Sequence, residues 1–221
     1  MARIFIIGAT GGVGHRLVPL LIEAGHEVTA LHRKSEQADS LRAMGATPVQ
    51  GDLMELTAGD FEPMFEGHDA VVFSAGAAGS GLERTTRIDG EAPLDVIAAM
   101  NRMSVPRLYL VSAFPDAGRG KEIKPGFEHY MLAKKTADAA VVASGLDYVI
   151  LRPGTLLHEE GDGRVALAHA LDYGSVARGH VAAVLAALID TPEISHEILE
   201  LTDGTEEIAA SVAALPRHVA V

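Results

Sequence analysis

The stretch RIFIIGATGGVGHRLVPLLIEAG, residues 3–25, sets an apolar run against four glycines within seven positions, then an amphipathic segment closed by Gly25. Arg3 to Gly8 reads as a buried strand and Gly12 to Gly25 as a helix. Gly8, Gly11 and Gly14 are spaced three apart, with Gly12 extra. A tight turn that needs positive φ can be made with one glycine. Several at this spacing strip side chains from the turn and let a backbone approach a ligand. The helix that follows offers free N–H groups and a positive dipole end. Together these features predict a pyrophosphate cradle in the first βα turn of a dinucleotide-binding unit, with an ordinary strand-to-helix turn as the alternative.

Working outward, short apolar runs alternate with amphipathic ones. Strands are expected at 26–33, 46–52, 69–76, 106–113 and 146–154, and helices at 35–45, 87–103 and 127–145. The strands are almost wholly apolar rather than alternating, which suits a parallel sheet covered on both faces. The repeated β-α rhythm predicts an α/β fold with a doubly wound parallel sheet of Rossmann type. After Gly154 the rhythm weakens into a polar loop HEEGDGR (158–164), a helix near 179–190, a strand at 196–202 and a terminal helix. We therefore expect one NAD(P)-binding domain over 1–221, with residues from about 155 onward forming a small substrate-side extension.

The 221 residues are 48% hydrophobic and 22% charged, enough for one sizeable core, and the formal charge is −12. An acidic surface repels phosphate backbones, so nucleic-acid binding is not expected. The absence of cysteine excludes disulfides, thiolate catalysis and cysteine zinc sites. Met1 to Ile7 is too short for a signal peptide, and no apolar run approaches the about 18 residues of a membrane span. These features predict a soluble cytoplasmic protein, a monomer or homodimer, with no membrane partner and a small-molecule substrate.

The end of the second strand bears on which dinucleotide is bound. An acidic residue there would bond the 2′-hydroxyl of NAD. Here the positions read His32, Arg33, Lys34 and Ser35, and the first acid is Glu36. Arg33 can pair with a 2′-phosphate, and no carboxylate stands there to repel one, so NADP(H) is expected over NAD(H). The alternative is a pair of solvated cations.

The segments GATGGVGHRLV, ALHR, GDL, VVFSAG, YMLAK and SGLDYVILRPGTL together resemble the atypical short-chain dehydrogenase/reductases. Within them they resemble the NAD(P)H-binding group related to NmrA-like proteins and to flavin/biliverdin reductases. The resemblance runs over about residues 3 to 200. It implies that Gly8, Thr10, Gly11, Gly12, Val13 and Gly14 hold the pyrophosphate, and that Asp52 and Leu53 lie beside adenine. It implies further that Ser74, Ala75 and Gly76 pass the adenosine ribose, and that Pro153, Thr155 and Leu156 lie along the nicotinamide half. On composition alone, Asp52 could be a helix cap and Pro153-Gly154 a turn.

Tyr130 and Lys134 are four apart on an expected helix, so they share a face. An ammonium near a phenol lowers its pKa from about 10 and makes a tyrosinate accessible as general acid/base. The resemblance implies the same pair, with Lys134 also on the nicotinamide ribose. It places a carbonyl-polarising hydroxyl just beyond the fifth strand. Ser112 is the candidate, but better-known enzymes carry that hydroxyl about two residues later, where this chain has Phe114. Ser112 may be read equally as a strand-end cap. His129 reads as a rim residue, and Asp89 as a helix cap or a group near the site. The cluster His158, Glu159, Glu160 and Asp162 reads as a solvated loop, so no metal is expected. His180 stands where relatives often carry Asp.

Two functional readings follow. The first is an NADP(H)-dependent oxidoreductase moving hydride between nicotinamide and a small carbonyl, alcohol or flavin-like substrate. Its catalytic residues would be Tyr130, Lys134 and Ser112, with a sugar-type epimerase or dehydratase as a variant. The second is a non-catalytic NADP(H)-sensing protein of NmrA type. The substrate pocket is expected among the loops at 77–86, 114–127 and 157–178.

Overall fold

The computed structural model describes residues 1–118, 122 and 124–218. Part of the expected substrate loop 114–127, at 119–121 and 123, therefore lies outside the described residues. The chain begins β1 (Arg3–Ile7), α1 (Gly14–Glu23), β2 (Glu27–His32), α2 (Ala38–Ala43), β3 (Thr47–Gln50), α3 (Ala58–Phe65) and β4 (Ala70–Phe73). A single turn α4 (Leu82–Arg84) runs through a π-helical turn at Thr85–Glu91 into α5 (Ala92–Met103). Then come β5 (Arg107–Val111), α6 (Pro125–Val142), β6 (Asp147–Pro153), β7 (Thr155–Leu157), β8 (Arg164–Ala168) and β9 (Ser175–Ala177). The chain closes with α7 (Arg178–Ile189), β10 (Glu197–Asp203), β11 (Glu206–Glu207) and α8 (Ile208–Ala213).

Nine strands form one sheet in the order β11-β8-β10-β6-β5-β4-β1-β2-β3. From β10 to β3 all neighbours are parallel, whereas β8 runs antiparallel to both β10 and β11. β7 and β9 pair separately as a short parallel ribbon. The expected doubly wound Rossmann-type sheet is therefore present, and its C-terminal extension adds strands to the same sheet. β3 can hold Pro48 because it is the edge strand, where a missing N–H costs no ladder bond.

β1 shows why the strands read as apolar runs. Ile4 and Ile6 face one cluster with Leu17, Leu21, Leu185 and Leu188 of α1 and α7, while Phe5 and Ile7 face another with Phe61, Phe65, Val96 and Val141 of α3, α5 and α6. Side chains alternate across a strand, so a sheet covered on both faces needs apolar residues at every position. α3 departs from the sequence expectation, which left 58–65 unassigned. It is started by a capping box in which Asp60 accepts from the Thr57 N–H at 2.8 Å, and its Phe61 and Phe65 are fully buried. No helix among the described residues is long and apolar enough to cross a membrane.

Strand order reverses between β1 and β4. Their carboxyl ends open a crevice at that point, where loops can meet a ligand without covering helices.

Candidate active site

A cavity of about 880 Å³ fills this crevice. One end is the glycine turn. Gly8 has φ +93°, and a Cβ there would lie 2.6 Å from the Ala75 nitrogen on the neighbouring strand end. A Cβ on Gly14 would lie 2.2 Å from the Gly8 carbonyl oxygen, so this glycine lets α1 start directly against the turn. Both are required by the fold itself, before any ligand is considered. Thr10, Gly11, Gly12 and Val13 line the cavity beside Gly8, whereas Gly14 is buried behind them. No side chain caps α1 and no acid stands in its first turn, which leaves its positive end for an anion.

The end expected to take adenosine is formed where β2, β3 and β4 finish. Arg33, His32, Asp52, Leu53, Ser74, Ala75 and Gly76 all line the cavity. Arg33 is exposed and meets no carboxylate among the described residues, while Lys34, outside the wall, faces Glu36 at 3.8 Å. Asp52 accepts the Met54 N–H at 3.0 Å, a turn role that leaves it on the wall. The Ser74 hydroxyl donates to the Ile7 carbonyl at 3.2 Å, so it ties β4 to β1.

At the other end Tyr130, Lys134 and Ser112 meet in the same cavity. α6 carries the first two on one face, with the Lys134 ammonium 5.8 Å from the Tyr130 ring centre. Lys134 is buried, donates to the Val111 carbonyl at 3.3 Å, and lies 3.0 Å from Oδ1 of the fully buried Asp89. Asp89 sits on the π-helical turn, and its other oxygen accepts the Ala77 N–H at 3.0 Å. Of its two expected readings, a helix cap or a group near the site, Asp89 takes the second: it joins the loop after β4 to the lysine. Burial raises the Tyr130 phenol above its ordinary value, and this outweighs the lowering by Lys134, which Asp89 also counters. That reverses the direction expected from the lysine alone. The Ser112 hydroxyl is buried, lines the cavity and has no hydrogen-bond partner among the described residues, so it is open to a ligand atom. Phe114 is buried edge-on against Tyr173, with ring centres 5.4 Å apart, and is not on the wall.

Other expected residues fall elsewhere. Pro153 and Thr155 are outside the cavity wall; Leu156 lines it instead. The Thr155 hydroxyl is hydrogen-bonded to that of Tyr173 at 2.6 Å, because strand alternation in β7 turns it away from the cavity that Leu156 faces. His129 bonds Thr86 at 2.7 Å on the rim. Glu160 pairs with Arg16 at 2.7 Å, and buried His180 bonds Asp203 at 2.7 Å while its Nε2 accepts the Gly163 N–H at 2.9 Å. Sequence reading did not single out Arg178, which lines the cavity above Gly12. Its one sequence signal is a cation at the first position of a helix, against the dipole.

Residues 8–192 match the model of a family described as NAD(P)H-binding. The uncharacterized sugar epimerase YhfK of Bacillus subtilis (strain 168) is 35% identical over 96% of this chain and all of its own length. A solved structure from Bacillus halodurans, provisionally described as an NAD-dependent epimerase/dehydratase, superposes with a TM-score of 0.87 at 33% identity, covering 97% of this chain and 100% of its own. ChuY, an anaerobillin reductase from Escherichia coli O157:H7, gives a TM-score of 0.74 at 25% identity over 91% of this chain and 97% of its own.

Proposed function

The chain belongs to the NAD(P)H-binding family, and from that premise we propose that it is an NADP(H)-dependent oxidoreductase acting on a small carbonyl, alcohol or flavin-like substrate. The observation that carries this reading is the meeting, in the cavity that the glycine turn enters, of Tyr130, Lys134 and the Ser112 hydroxyl, which has no hydrogen-bond partner among the described residues. A bound nicotinamide supplies or accepts the hydride. The protein supplies position and protons. Gly11 to Val13 and the uncapped start of α1 hold the pyrophosphate, and Arg33 holds the 2′-phosphate, with Asp52 and Leu53 beside adenine and Ser74 to Gly76 along the ribose. Leu156, expected along the nicotinamide half with Pro153 and Thr155, is the one of the three on the cavity wall.

Ser112 donates a hydrogen bond to the substrate oxygen and orients it. Lys134, held by Asp89 and the Val111 carbonyl, presents its remaining proton to the ribose. Tyr130, a phenol whose pKa burial raises further, donates a proton to the oxygen that gains charge as a carbonyl is reduced. Because the acid form is the active one, reduction should hold steady through neutral pH and fail only as pH rises through the raised phenol pKa. Oxidation of an alcohol should show the opposite limb.

The test is a substrate screen with NADPH and carbonyl or flavin acceptors, using Tyr130→Phe as control. Turnover should fall by about 10²- to 10⁴-fold with NADPH affinity unchanged. The Phe114 position, which offers no hydroxyl, favours the second reading of a nucleotide-sensing protein. In that case wild type and Tyr130→Phe would bind NADPH alike and neither would turn over any acceptor.

A further inference from the structure

We propose that Arg178 forms the second wall of the pyrophosphate site, closing from the C-terminal part of the chain over the glycine turn. The proposal rests on the dinucleotide reading above and assigns it a residue outside the βα unit that carries the glycines.

Four observations converge. The Arg178 side chain lies across Gly12 so closely that a Cβ there would sit 2.5 Å from its Cδ and 2.7 Å from its Nε. Gly12 is therefore kept bare by an arginine stem reaching over it. The guanidinium lines the cavity and donates from Nη1 to the Leu156 carbonyl at 3.1 Å, bridging the phosphate end and the nicotinamide end. It meets no carboxylate among the described residues, in a chain whose acidic groups outnumber its basic ones by 30 to 18. Arg16, the neighbouring arginine on α1, is by contrast committed to Glu160 at 2.7 Å and the Gly12 carbonyl at 2.7 Å.

The placement is also costly in itself. Arg178 is the first residue of α7, where the helix dipole disfavours a cation. The backbone beneath it is held from behind: the Gly179 N–H donates to the Glu159 carbonyl at 3.0 Å, and the next residue, His180, is bonded to Asp203 and Gly163. A part-buried guanidinium with open donors, fixed beside an uncapped helix start, completes a two-sided anion site: N–H groups on one side and a forked donor on the other. The ligand it fits is the pyrophosphate common to NADPH and NADH, so its contribution does not distinguish the two.

That property gives the test. NADPH, NADH and ADP-ribose are titrated into wild type, Arg178→Ala, Arg178→Lys and Arg33→Ala. Melting temperatures without nucleotide serve as the control for folding. Arg178→Ala should weaken all three ligands by a similar factor of about 10 to 100, and Arg178→Lys should restore part of it. Arg33→Ala should weaken NADPH alone. Equal affinities for wild type and a folded Arg178→Ala, with Arg33→Ala still weakening NADPH, would overturn the role of Arg178 while leaving the cofactor reading intact. Weakening of NADPH alone by Arg178→Ala would overturn it too, by moving the residue to the 2′-phosphate. Failure of wild type to bind any of the three would bring down the cofactor reading, and Arg178 with it.

Discussion

Residues 3–33 and residues 155–203 form two walls of one cavity but are held by different means. The first wall is local. The Gly11 N–H returns to the Gly8 carbonyl at 2.9 Å, Gly14 packs on that same oxygen, and β1 lies beside β2 within one continuous βαβ unit. The second wall is held at long range: β8 and β10 belong to the central sheet, and α7 packs in the same core cluster as α1. Glu160 reaches Arg16, His180 reaches Asp203, Arg178 reaches across to Gly12, and β8 slots between β10 and β11. A wall of the first kind fails with the fold. In the second wall the exposed loop around Glu160 has room to shift while the sheet stands.

The sharpest way to break that contrast is to fill one glycine in each wall. Gly14→Ala drives a methyl against the Gly8 carbonyl inside the core, where neither backbone can retreat. It should cost about 3 kcal/mol or more and abolish nucleotide binding, as read by urea unfolding and NADPH titration. Gly179→Ala meets the Glu160 carbonyl at 1.9 Å, an even closer approach, but Glu160 lies on an exposed loop that can recede. A smaller loss of about 1–2 kcal/mol is expected, with binding weakened rather than lost. Equal losses in the two variants would show that the second wall is as integral as the first.

The smallest effect sharpens the comparison through pH. His68 bonds the Thr29 hydroxyl on β2 at 2.9 Å and stacks edge-on against Phe5, and burial holds its pKa below 6.5. A histidine with a depressed folded pKa contributes stability above its unfolded value, and that contribution is lost as pH falls below 6.5. His68→Gln should therefore flatten part of the acid limb of a stability-versus-pH curve. No change in slope would remove His68 from the acid response of the first wall.

Much of this could be read along the chain. The glycine spacing, the cationic end of β2 and the Tyr130/Lys134 interval are all short-range patterns, and a parallel sheet covered on both faces writes itself as apolar runs. α3 escaped because Gly59 and Pro63 break an otherwise helical reading, and only the burial of Phe61 and Phe65 against α5 shows what the segment gains. β7, β8 and β9 escaped because strands of three to five residues with partners far along the chain carry little period of their own. Asp89 read as either a cap or a group near the site because nothing near it in sequence announces the lysine 45 positions on that it faces.

The sequence by itself determined the doubly wound sheet, the place of the glycine turn and which residue types stand ready for chemistry, because those depend on local period and local backbone freedom. Tertiary structure alone decided the protonation bias of Tyr130, since burial outweighs a neighbouring charge and burial is a property of the whole fold. It also decided that Leu156 rather than Thr155 faces the cavity, and that Arg178 arrives over Gly12 from the far end of the chain.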